Sequence, residues 1–450
     1  MNFSISLFPL DNYDQNIDNW IPKANLKYPF PLLSSSYQDK RLKEFIHHYF
    51  LPWCKNYILS LEERPNLNRI MNAIEKLKDQ ATEVNHVGYG ENFHPYEASW
   101  FEKISVNMAL TQIKRPIVFK SSNRGILIQN THARLLPTFD AYFYSFELPG
   151  QGYPFDNLQE SALWVGTPVY IIGCTQNKQW SLIVTSDLAG WVPTETIAKV
   201  TEKFIENWQA IAQSKLAAIT NTESSIIDLE SQTYCFNAYV GTVFPAITED
   251  NDYIKMALPL KDLQGYACIR YAYVNKQEVT MMPMQASSEN FLKILKTLIH
   301  RPYGWGGSYF YNDCSAELKS FFTPFGIWLP RHSSHQLQAG KVINLNALSM
   351  KDRVAYLIKH GRPWITIVYI GNHIFLYLGN YSNAAKASIP LTYQNIWALK
   401  PLDESRRSII GKSVILPLVE NYPEDPTLNS QANTDIFQII FLDEWPDQKY

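Results

Sequence analysis

The feature that most constrains the fold is a change in the pattern of apolar residues along the chain. From about residue 111, short β-branched segments alternate with turn residues, as in GILIQNT, GTPVYIIGCT and QWSLIVTS. Short strands at such spacing are typical of small β barrels. The flanks instead carry apolar residues at helical spacing, in YQDKRLKEFIHHYFLPWC (37–54) and ENFLKILKTLIH (289–300). The length of 450 residues, together with this change of pattern, predicts several domains.

We therefore predict a multi-domain α+β protein. The expected parts are a helical N-terminal segment over 1–110, a first β barrel over 111–197, a linker helix with a second, diverged barrel over 198–286, and an α+β domain over 287–450. The phrase GTPVYII…WSLIV…GWVP resembles the bacterial SH3-like barrel, in which Gly190–Val192 would form the last strand.

Composition and charge exclude several classes of protein. The formal net charge is only −2, so no strongly basic face for nucleic acid is expected. No apolar run reaches the roughly 18 residues that a membrane span needs. Apolar residues make up 46% of the chain, which is enough for several cores and excludes wholesale disorder. The five cysteines form no CxxC pair, so a metal knuckle is not expected, and neither a metal nor an organic cofactor is implied.

One cysteine stands in a setting of its own. Cys314 opens CSAELKSFF, a run with helical spacing, and either Asn312 or Asp313 is expected to cap this helix. A thiol at a helix N-terminus meets the positive end of the dipole and unpaired backbone N–H groups, which lower its pKa and can later hold an oxyanion. Polar neighbours and the Gly-rich approach PYGWGG (302–307) favour an exposed turn over a buried structural thiol. We therefore predict that Cys314 is a nucleophile.

A cysteine nucleophile needs a base that is near it in space rather than in sequence. The candidates are His332, His335, His360 and His373. WITIVYI and HIFLYLG, separated by the polar pair Gly-Asn, predict a hairpin that holds His373 rigidly at a strand start. The other three histidines fit surface turns or a helix end. Spacing alone leaves the choice open.

Three motifs together resemble the NlpC-type peptidase family, papain-like enzymes of bacterial peptidoglycan. They are PYGWGG with DCS after it, LPRHSSHQ, and GNHIFLYLG. In that family the Cys of DCS is the nucleophile and the His of the strand that ends in YLG is the base, so the resemblance assigns these roles to Cys314 and His373. With RRSIIG (406–411), the resemblance spans about residues 301–411, and the two barrels before it resemble a subgroup with two SH3-like domains ahead of the catalytic one.

The third catalytic position departs from the commonest family pattern. PLTYQNIWALK (390–400) resembles the family strand that carries a histidine to orient the base, and Gln394 stands at that place. An amide both donates and accepts hydrogen bonds, so Gln394 could fix the imidazole tautomer. Asn395 is the alternative, although strand alternation turns its side chain the other way.

The resemblance also implies substrate-binding residues. These are Tyr303, Trp305, Asp313, Ser315 and Ser333. Tyr303 would polarise the carbonyl or hold the oxyanion, while Asp313 and Ser315 would bind the acyl-side residue. Simple packing is the alternative for Tyr303 and Trp305.

One further candidate lies in the first barrel. Relatives with this domain order are thought to bind the free amine of a peptide end through barrel residues. Asp156, at the end of the turn-rich GQGYPFD, or Glu160 would supply the negative charge. The alternative to amine binding is that Asp156 is an ordinary turn residue, which either faces solvent or caps the local backbone.

These assignments imply a peptidoglycan stem-peptide hydrolase. By resemblance, it would cleave the γ-D-glutamyl bond to a diamino acid such as meso-diaminopimelate through a thiol acyl-enzyme. Two alternatives remain: a papain-like amidase or acyltransferase on another acyl group, and a catalytically weak cell-wall binding protein, which only Gln394 favours. The family implies the cell envelope or periplasm. However, the N-terminal sequence does not resemble a secretory signal, so a cytoplasmic place also fits, and no obligate protein partner is inferred.

Overall fold

The structure, a computed structural model, describes residues 5–61, 65–81, 87–113, 116–382 and 386–446. The chain divides into two compact units. The α+β unit comprises the chain up to Arg41, Pro283–Gly304, and the chain from Tyr311 onward. The barrel unit comprises Leu42–Met282 and Trp305–Phe310. The expected multi-domain α+β class is confirmed.

Helices lie in both units. They are α1 (Ile17–Lys23), α2 (Ser35–Phe50), α3 (Lys55–Leu59), α4 (Pro65–Met71), α5 (Ala73–Gln80), α6 (Ala98–Met108), α7 (Glu202–Ser214), α8 (Ser288–Leu298), α9 (Cys314–Phe322), α10 (Ser333–Gln336) and α11 (Met350–His360). No helix that the structure describes is both long and apolar enough to cross a membrane.

The strands of the described residues fall into four sheets. They are β1 (Ile5–Leu7), β2 (Arg124–Leu127), β3 (Thr131–Arg134), β4 (Gln159–Leu163), β5 (Pro168–Cys174), β6 (Trp180–Val184), β7 (Ala189–Pro193), β8 (Ile197–Lys199), β9 (Leu216–Ile219), β10 (Glu223–Ile227), β11 (Tyr234–Tyr239), β12 (Val243–Glu249), β13 (Tyr253–Lys261), β14 (Ala267–Asn275), β15 (Val279–Met281), β16 (Lys341–Asn344), β17 (Thr366–Tyr369), β18 (Ile374–Ser382), β19 (Ser388–Leu399), β20 (Arg407–Pro417) and β21 (Gln438–Phe441).

The α+β unit is built on one sheet with the strand order β1-β20-β19-β18-β17-β21-β16. Its neighbouring strands are antiparallel, except that β1 runs parallel to β20. Helices α8 and α9 share an aromatic core with this unit. The ring of Phe291 in α8 lies 5.7 Å from that of Phe321 in α9 and 6.0 Å from that of Trp364. The helical spacing of ENFLKILKTLIH therefore buries one face, as expected.

The hairpin expected around His373 is confirmed. Strands β17 and β18 pair antiparallel, and the backbone N–H of Ile370 donates to the carbonyl of His373 at 2.9 Å. Gly371 supplies a φ of 85°, which a tight turn of this kind favours. His373 is thereby fixed immediately before the first residue of β18.

The barrel unit contains the expected small β barrel. Its sheet has the order β4-β3-β7-β6-β5-β2-β8. The GWVP phrase lies in β7, where Trp191 is fully buried and pairs in register with Leu182 of β6. Gly190 is needed because a Cβ at this position would lie 3.0 Å from the Cβ of Ala133.

The following region starts with the expected linker helix. Thr201 caps α7 by accepting a hydrogen bond from the backbone N–H of Phe204 at 3.1 Å. Strands β9 and β12–β15 form a five-stranded antiparallel sheet, and β10 and β11 form a separate two-stranded ribbon. Strand-rich structure was expected here; that this region is a second SH3-like barrel stays a prediction.

The N-terminal residues differ from the expected single helical segment. Strand β1 pairs with β20, which places the first residues in the α+β unit. Helices α3–α6 instead belong to the barrel unit, where apolar residues such as Ile74 and Phe101 share a core with Trp191. The expected helix over 66–80 is two helices, because Asn72 leaves helical backbone geometry between α4 and α5. Local helical spacing does not reveal which core each helix joins.

Candidate active site

The site starts at the N-terminus of α9, where Cys314 is the first helical residue. Asp313 is the N-cap, and its Oδ1 accepts a hydrogen bond from the backbone N–H of Ala316 at 2.9 Å. Cys314 is partly exposed, while Asp313 is 8% exposed. The helix-start geometry expected from the sequence is therefore present. All five cysteines are free thiols.

Two backbone N–H groups, those of Ile374 and Ser315, act on the thiol to lower its pKa. Ile374 directly follows His373, so the start of β18 lies at the thiol. Burial, followed by the charge of Asp313, nevertheless raises the pKa of Cys314 to about 12. The expected lowering of this pKa is therefore wrong for the resting structure, because two N–H donors do not offset burial and an adjacent carboxylate.

His373 points at the predicted third residue. Its Nε2 lies 2.8 Å from Oε1 of Gln394, which is 1% exposed on β19. Burial lowers the pKa of His373 to about 4, although the hydrogen bond to Gln394 and the charge of Asp313 act in the opposite direction. The resting pair is thus a neutral thiol and a neutral imidazole.

The alternative third residue, Asn395, points elsewhere. Its Nδ2 donates to the carbonyl of Asn312 at 2.8 Å, just before the nucleophile turn. The side chain of Asn312 in turn donates to the buried carboxylate of Glu317 at 2.7 Å. Ser413 also donates to Glu317, at 2.6 Å. Asn395 therefore supports the backbone that carries Cys314, and alternation along β19 separates its role from that of Gln394.

Asp313 is committed to a buried ion pair. Arg331 approaches it with two nitrogens, with Nη2–Oδ2 at 2.6 Å and Nη1–Oδ1 at 3.1 Å. Burial alone would raise the pKa of Asp313, but Arg331 and hydrogen bonds from Ala316 and Ser315 hold it below its usual value. Arg331 also donates to the hydroxyl of Ser315 at 2.9 Å. These groups form a rigid polar wall beside Cys314.

Tyr303 lies close enough to Cys314 for their charges to interact. Burial, followed by Cys314 and Asp313, raises the pKa of Tyr303 well above its usual value. Its hydroxyl is therefore neutral and remains a donor across physiological pH. Such a donor would suit an oxyanion, and the oxyanion role that the resemblance implied for Tyr303 stays a prediction.

Trp305 belongs to the barrel unit rather than the α+β unit. Its Nε1 donates to the carbonyl of Asp156 at 3.0 Å, and its ring lies 5.0 Å from that of Phe155. Gly306 and Gly307 have φ values of 57° and 83° and lie against β4, where a Cβ on Gly307 would meet Ala162 N at 2.5 Å. The glycines of PYGWGG therefore allow the close backbone approach that the sequence predicted.

Asp156 is 7% exposed in the barrel unit, and its contacts occupy both oxygens. Oδ2 lies 2.5 Å from Nη1 of Arg134, while Oδ1 accepts from the backbone N–H groups of Tyr142 and Leu158, both at 2.9 Å. The other amine-binding candidate, Glu160, pairs with Arg69. These contacts argue against the interpretation that Asp156 faces solvent in a turn. They also leave its carboxylate little capacity to bind a ligand.

Ser333 starts the short helix α10, two residues after Arg331, and is partly exposed. Sequence reasoning missed Arg331 itself, although it lies inside the quoted LPRHSSHQ motif. It also missed Gln431, which contacts Gln394 from an irregular segment. No three metal-ligating side chains converge anywhere in the part of the chain that the structure describes.

Comparisons with known proteins agree with this geometry. A model described as the NlpC/P60 family matches residues 300–400, and a model described as an SH3 domain of the SH3b1 type matches residues 141–193. No curated protein matches the chain.

Two solved structures are similar to this chain to different degrees. An NlpC/P60 endopeptidase from Photobacterium damselae subsp. piscicida is 28% identical, over 98% of this chain and 100% of that one, with a TM-score of 0.83. An NlpC/P60 family protein from Bacillus cereus is 13% identical over 68% of this chain and 98% of that one, with a TM-score of 0.46. The chain thus combines an SH3 domain of the SH3b1 type with an NlpC/P60 domain, and it is similar in structure to an NlpC/P60 endopeptidase.

Proposed function

We propose that this protein is a cysteine endopeptidase that cleaves the γ-D-glutamyl–diamino acid bond of peptidoglycan stem peptides. The NlpC/P60 domain and the similarity to an NlpC/P60 endopeptidase support the coarser part, a cysteine peptidase of the cell wall at the envelope or outside the cell. The observation that carries the proposal is the combination of a thiol at a helix start with a histidine held by Gln394 at 2.8 Å. Cys314 is the nucleophile and His373 the base.

The first step is acylation. The Nε2–H group of His373 donates a hydrogen bond to Gln394 and keeps its proton. Nδ1 is therefore the nitrogen that takes the thiol proton as sulfur attacks the scissile carbonyl. Because the resting pair is neutral, proton transfer accompanies the attack rather than preceding it. The tetrahedral intermediate then expels the amine of the diamino acid, which receives that proton from the imidazolium. A thioester on Cys314 remains.

The second step is hydrolysis of the thioester. The neutral imidazole now takes a proton from water, and the resulting hydroxide attacks the carbonyl. The sulfur leaves and recovers its proton from His373. In both steps the developing oxyanion needs donors, and the backbone N–H groups at the start of α9 and the neutral hydroxyl of Tyr303 are suited to this role.

The polar wall beside Cys314 supports the γ-glutamyl choice. In a γ-linked glutamyl residue the free carboxylate shares its carbon with the acylated amine, three carbons from the scissile carbonyl. An α-linked residue instead carries the amine on the carbon next to the scissile carbonyl and keeps a free γ-carboxylate. Arg331 places a guanidinium in this wall, where it pairs with Asp313 and donates to the hydroxyl of Ser315, and the α-carboxylate of the substrate would lie on this side of the site. Ser333, at the start of α10, is retained as a further substrate contact.

The test compares L-Ala-γ-D-Glu-meso-diaminopimelate with its α-linked isomer, using mass spectrometry to identify the products. We expect an L-Ala-D-Glu dipeptide and free diaminopimelate from the γ-linked peptide alone. Cys268→Ala is the matched control, because this cysteine lies on β14 in the barrel unit. Equal cleavage of both isomers would overturn the γ specificity. Transfer of the acyl group to an added amine in preference to water would instead indicate an acyltransferase.

A further inference from the structure

The orientation of the Gln394 amide is fixed from behind by Thr392, which is fully buried on β19. The Thr392 hydroxyl donates its single proton to the carbonyl of Leu416 at 2.6 Å, and a carbonyl can only accept. The Thr392 oxygen can therefore only accept from its other neighbour, which is Nε2 of Gln394 at 3.0 Å. This places the nitrogen of the amide towards Thr392.

The oxygen of the same amide then faces His373. Oε1 of Gln394 lies 2.8 Å from Nε2 of His373, and an amide oxygen only accepts. The proton of the neutral imidazole is therefore on Nε2. Nδ1 carries the lone pair that acylation requires.

Gln431 completes the arrangement with a reciprocal amide pair. Its Nε2 donates to Oε1 of Gln394 at 2.7 Å, and its Oε1 accepts from Nε2 of Gln394 at 3.1 Å. Gln431 is 6% exposed. This pair holds both amides in place, but it would be equally satisfied if both amides turned over together. Only the bond to Thr392 distinguishes the two orientations.

We propose that Thr392 and Gln431 are positioning residues that set the tautomer of His373. Thr392 determines which end of the Gln394 amide faces His373, and Gln431 holds that amide in place. The inference rests on the proposed function for its catalytic meaning. Without Thr392, the turned-over pair would donate from Gln394 to Nε2 of His373 and favour the proton on Nδ1. That tautomer cannot accept the thiol proton.

Thr392→Val tests whether Thr392 sets the orientation of the Gln394 amide, because valine matches threonine in shape but offers no acceptor. We expect kcat on the γ-linked tripeptide to fall about ten- to a hundredfold with an unchanged KM, by analogy with the outer partners that orient metal-ligating histidines. Thr392→Ser keeps the hydroxyl and should restore activity. Thr366→Val is the matched control, since Thr366 is equally buried in the same sheet and accepts from Arg362 N instead. Gln431→Met should lose less activity than Thr392→Val.

The second readout is the imidazole tautomer of His373, measured by ¹⁵N NMR on histidine-labelled resting enzyme. We expect an Nε2–H tautomer in the wild type and in Gln431→Met, and a shift towards Nδ1–H in Thr392→Val. A folded Thr392→Val enzyme with the wild-type tautomer and kcat would overturn the proposal, as would a larger loss in Gln431→Met. If no stem peptide is cleaved, the proposed function fails, but the tautomer measurement needs no substrate and still decides this inference.

Discussion

Replacing Asp156 by asparagine separates a structural role from a substrate-binding one. Asp156 and Arg134 form an ion pair whose side chains are 10% and 8% exposed. If the oxygen of asparagine accepts from the backbone N–H groups of Tyr142 and Leu158, its NH2 group faces Arg134 as a second donor. If the amide is turned over, Arg134 meets a neutral oxygen and the two N–H groups lose their acceptor. Removing one partner of a buried pair typically destabilises a protein by about 3–5 kcal/mol.

That loss is measurable by thermal unfolding. For a domain of roughly 150–250 residues, each 1 kcal/mol lowers Tm by about 2–4 °C, so Asp156→Asn should lower the Tm of the barrel unit by roughly 6 °C or more. Arg134→Met combined with Asp156→Leu removes both charges. Because no charge is then left unpaired, this double variant should be more stable than the sum of the two single losses predicts.

Kinetics on the folded variant then test amine binding. The ratio of kcat/KM for L-Ala-γ-D-Glu-meso-diaminopimelate to that for its N-acetyl form should match the wild type, since the carboxylate is already occupied. An unchanged Tm together with loss of a free-amine preference of about tenfold, or roughly 1.4 kcal/mol, would refute this reasoning and assign amine binding to Asp156.

Three further outcomes follow from the site. Iodoacetamide should alkylate Cys314 faster as pH rises from 6 to 9, because its pKa is raised to about 12 and little thiolate exists at pH 6; a rate constant that is flat over this range would contradict the neutral pair. Because the pKa of His373 is lowered to about 4, it stays an unprotonated base down to that region. Accordingly, kcat/KM should hold from pH 7 to 5 and fall only near pH 4, and a decline centred near pH 6.5 would contradict the lowered pKa. Gln394→Ala should lower kcat about ten- to a thousandfold, less than His373→Ala does, while Gln394→His should be tolerated; a silent Gln394→Ala would remove this residue from the mechanism.

Much of the site could be predicted from the sequence because its elements are local. The helix start at Cys314, its Asp313 cap and the hairpin before His373 each depend on residues within a few positions of one another. Strand alternation also separated Gln394 from Asn395 correctly. These are the contacts that capping and periodicity encode.

The remaining features depend on residues distant in sequence. Gln431 reaches Gln394 across 37 positions from an irregular segment, so no periodicity points to it. The raised pKa of Cys314 depends on the protein groups packed around the partly exposed thiol, and the local sequence does not show how closely they surround it. The N-terminal strand joins a sheet whose partner strand begins at Arg407, and helical spacing in the same region gives no sign of that pairing.

The most direct test of the central claim is the release of diaminopimelate from L-Ala-γ-D-Glu-meso-diaminopimelate by the full chain and by Cys314→Ala. Cys314 lies partly exposed at a helix start, so the variant should keep the wild-type Tm. We predict release by the wild type and by Cys268→Ala, and at least about a thousandfold less by Cys314→Ala, since removing a nucleophile generally costs more than that factor. Comparable release by Cys314→Ala, or no release by the wild type, would contradict the account.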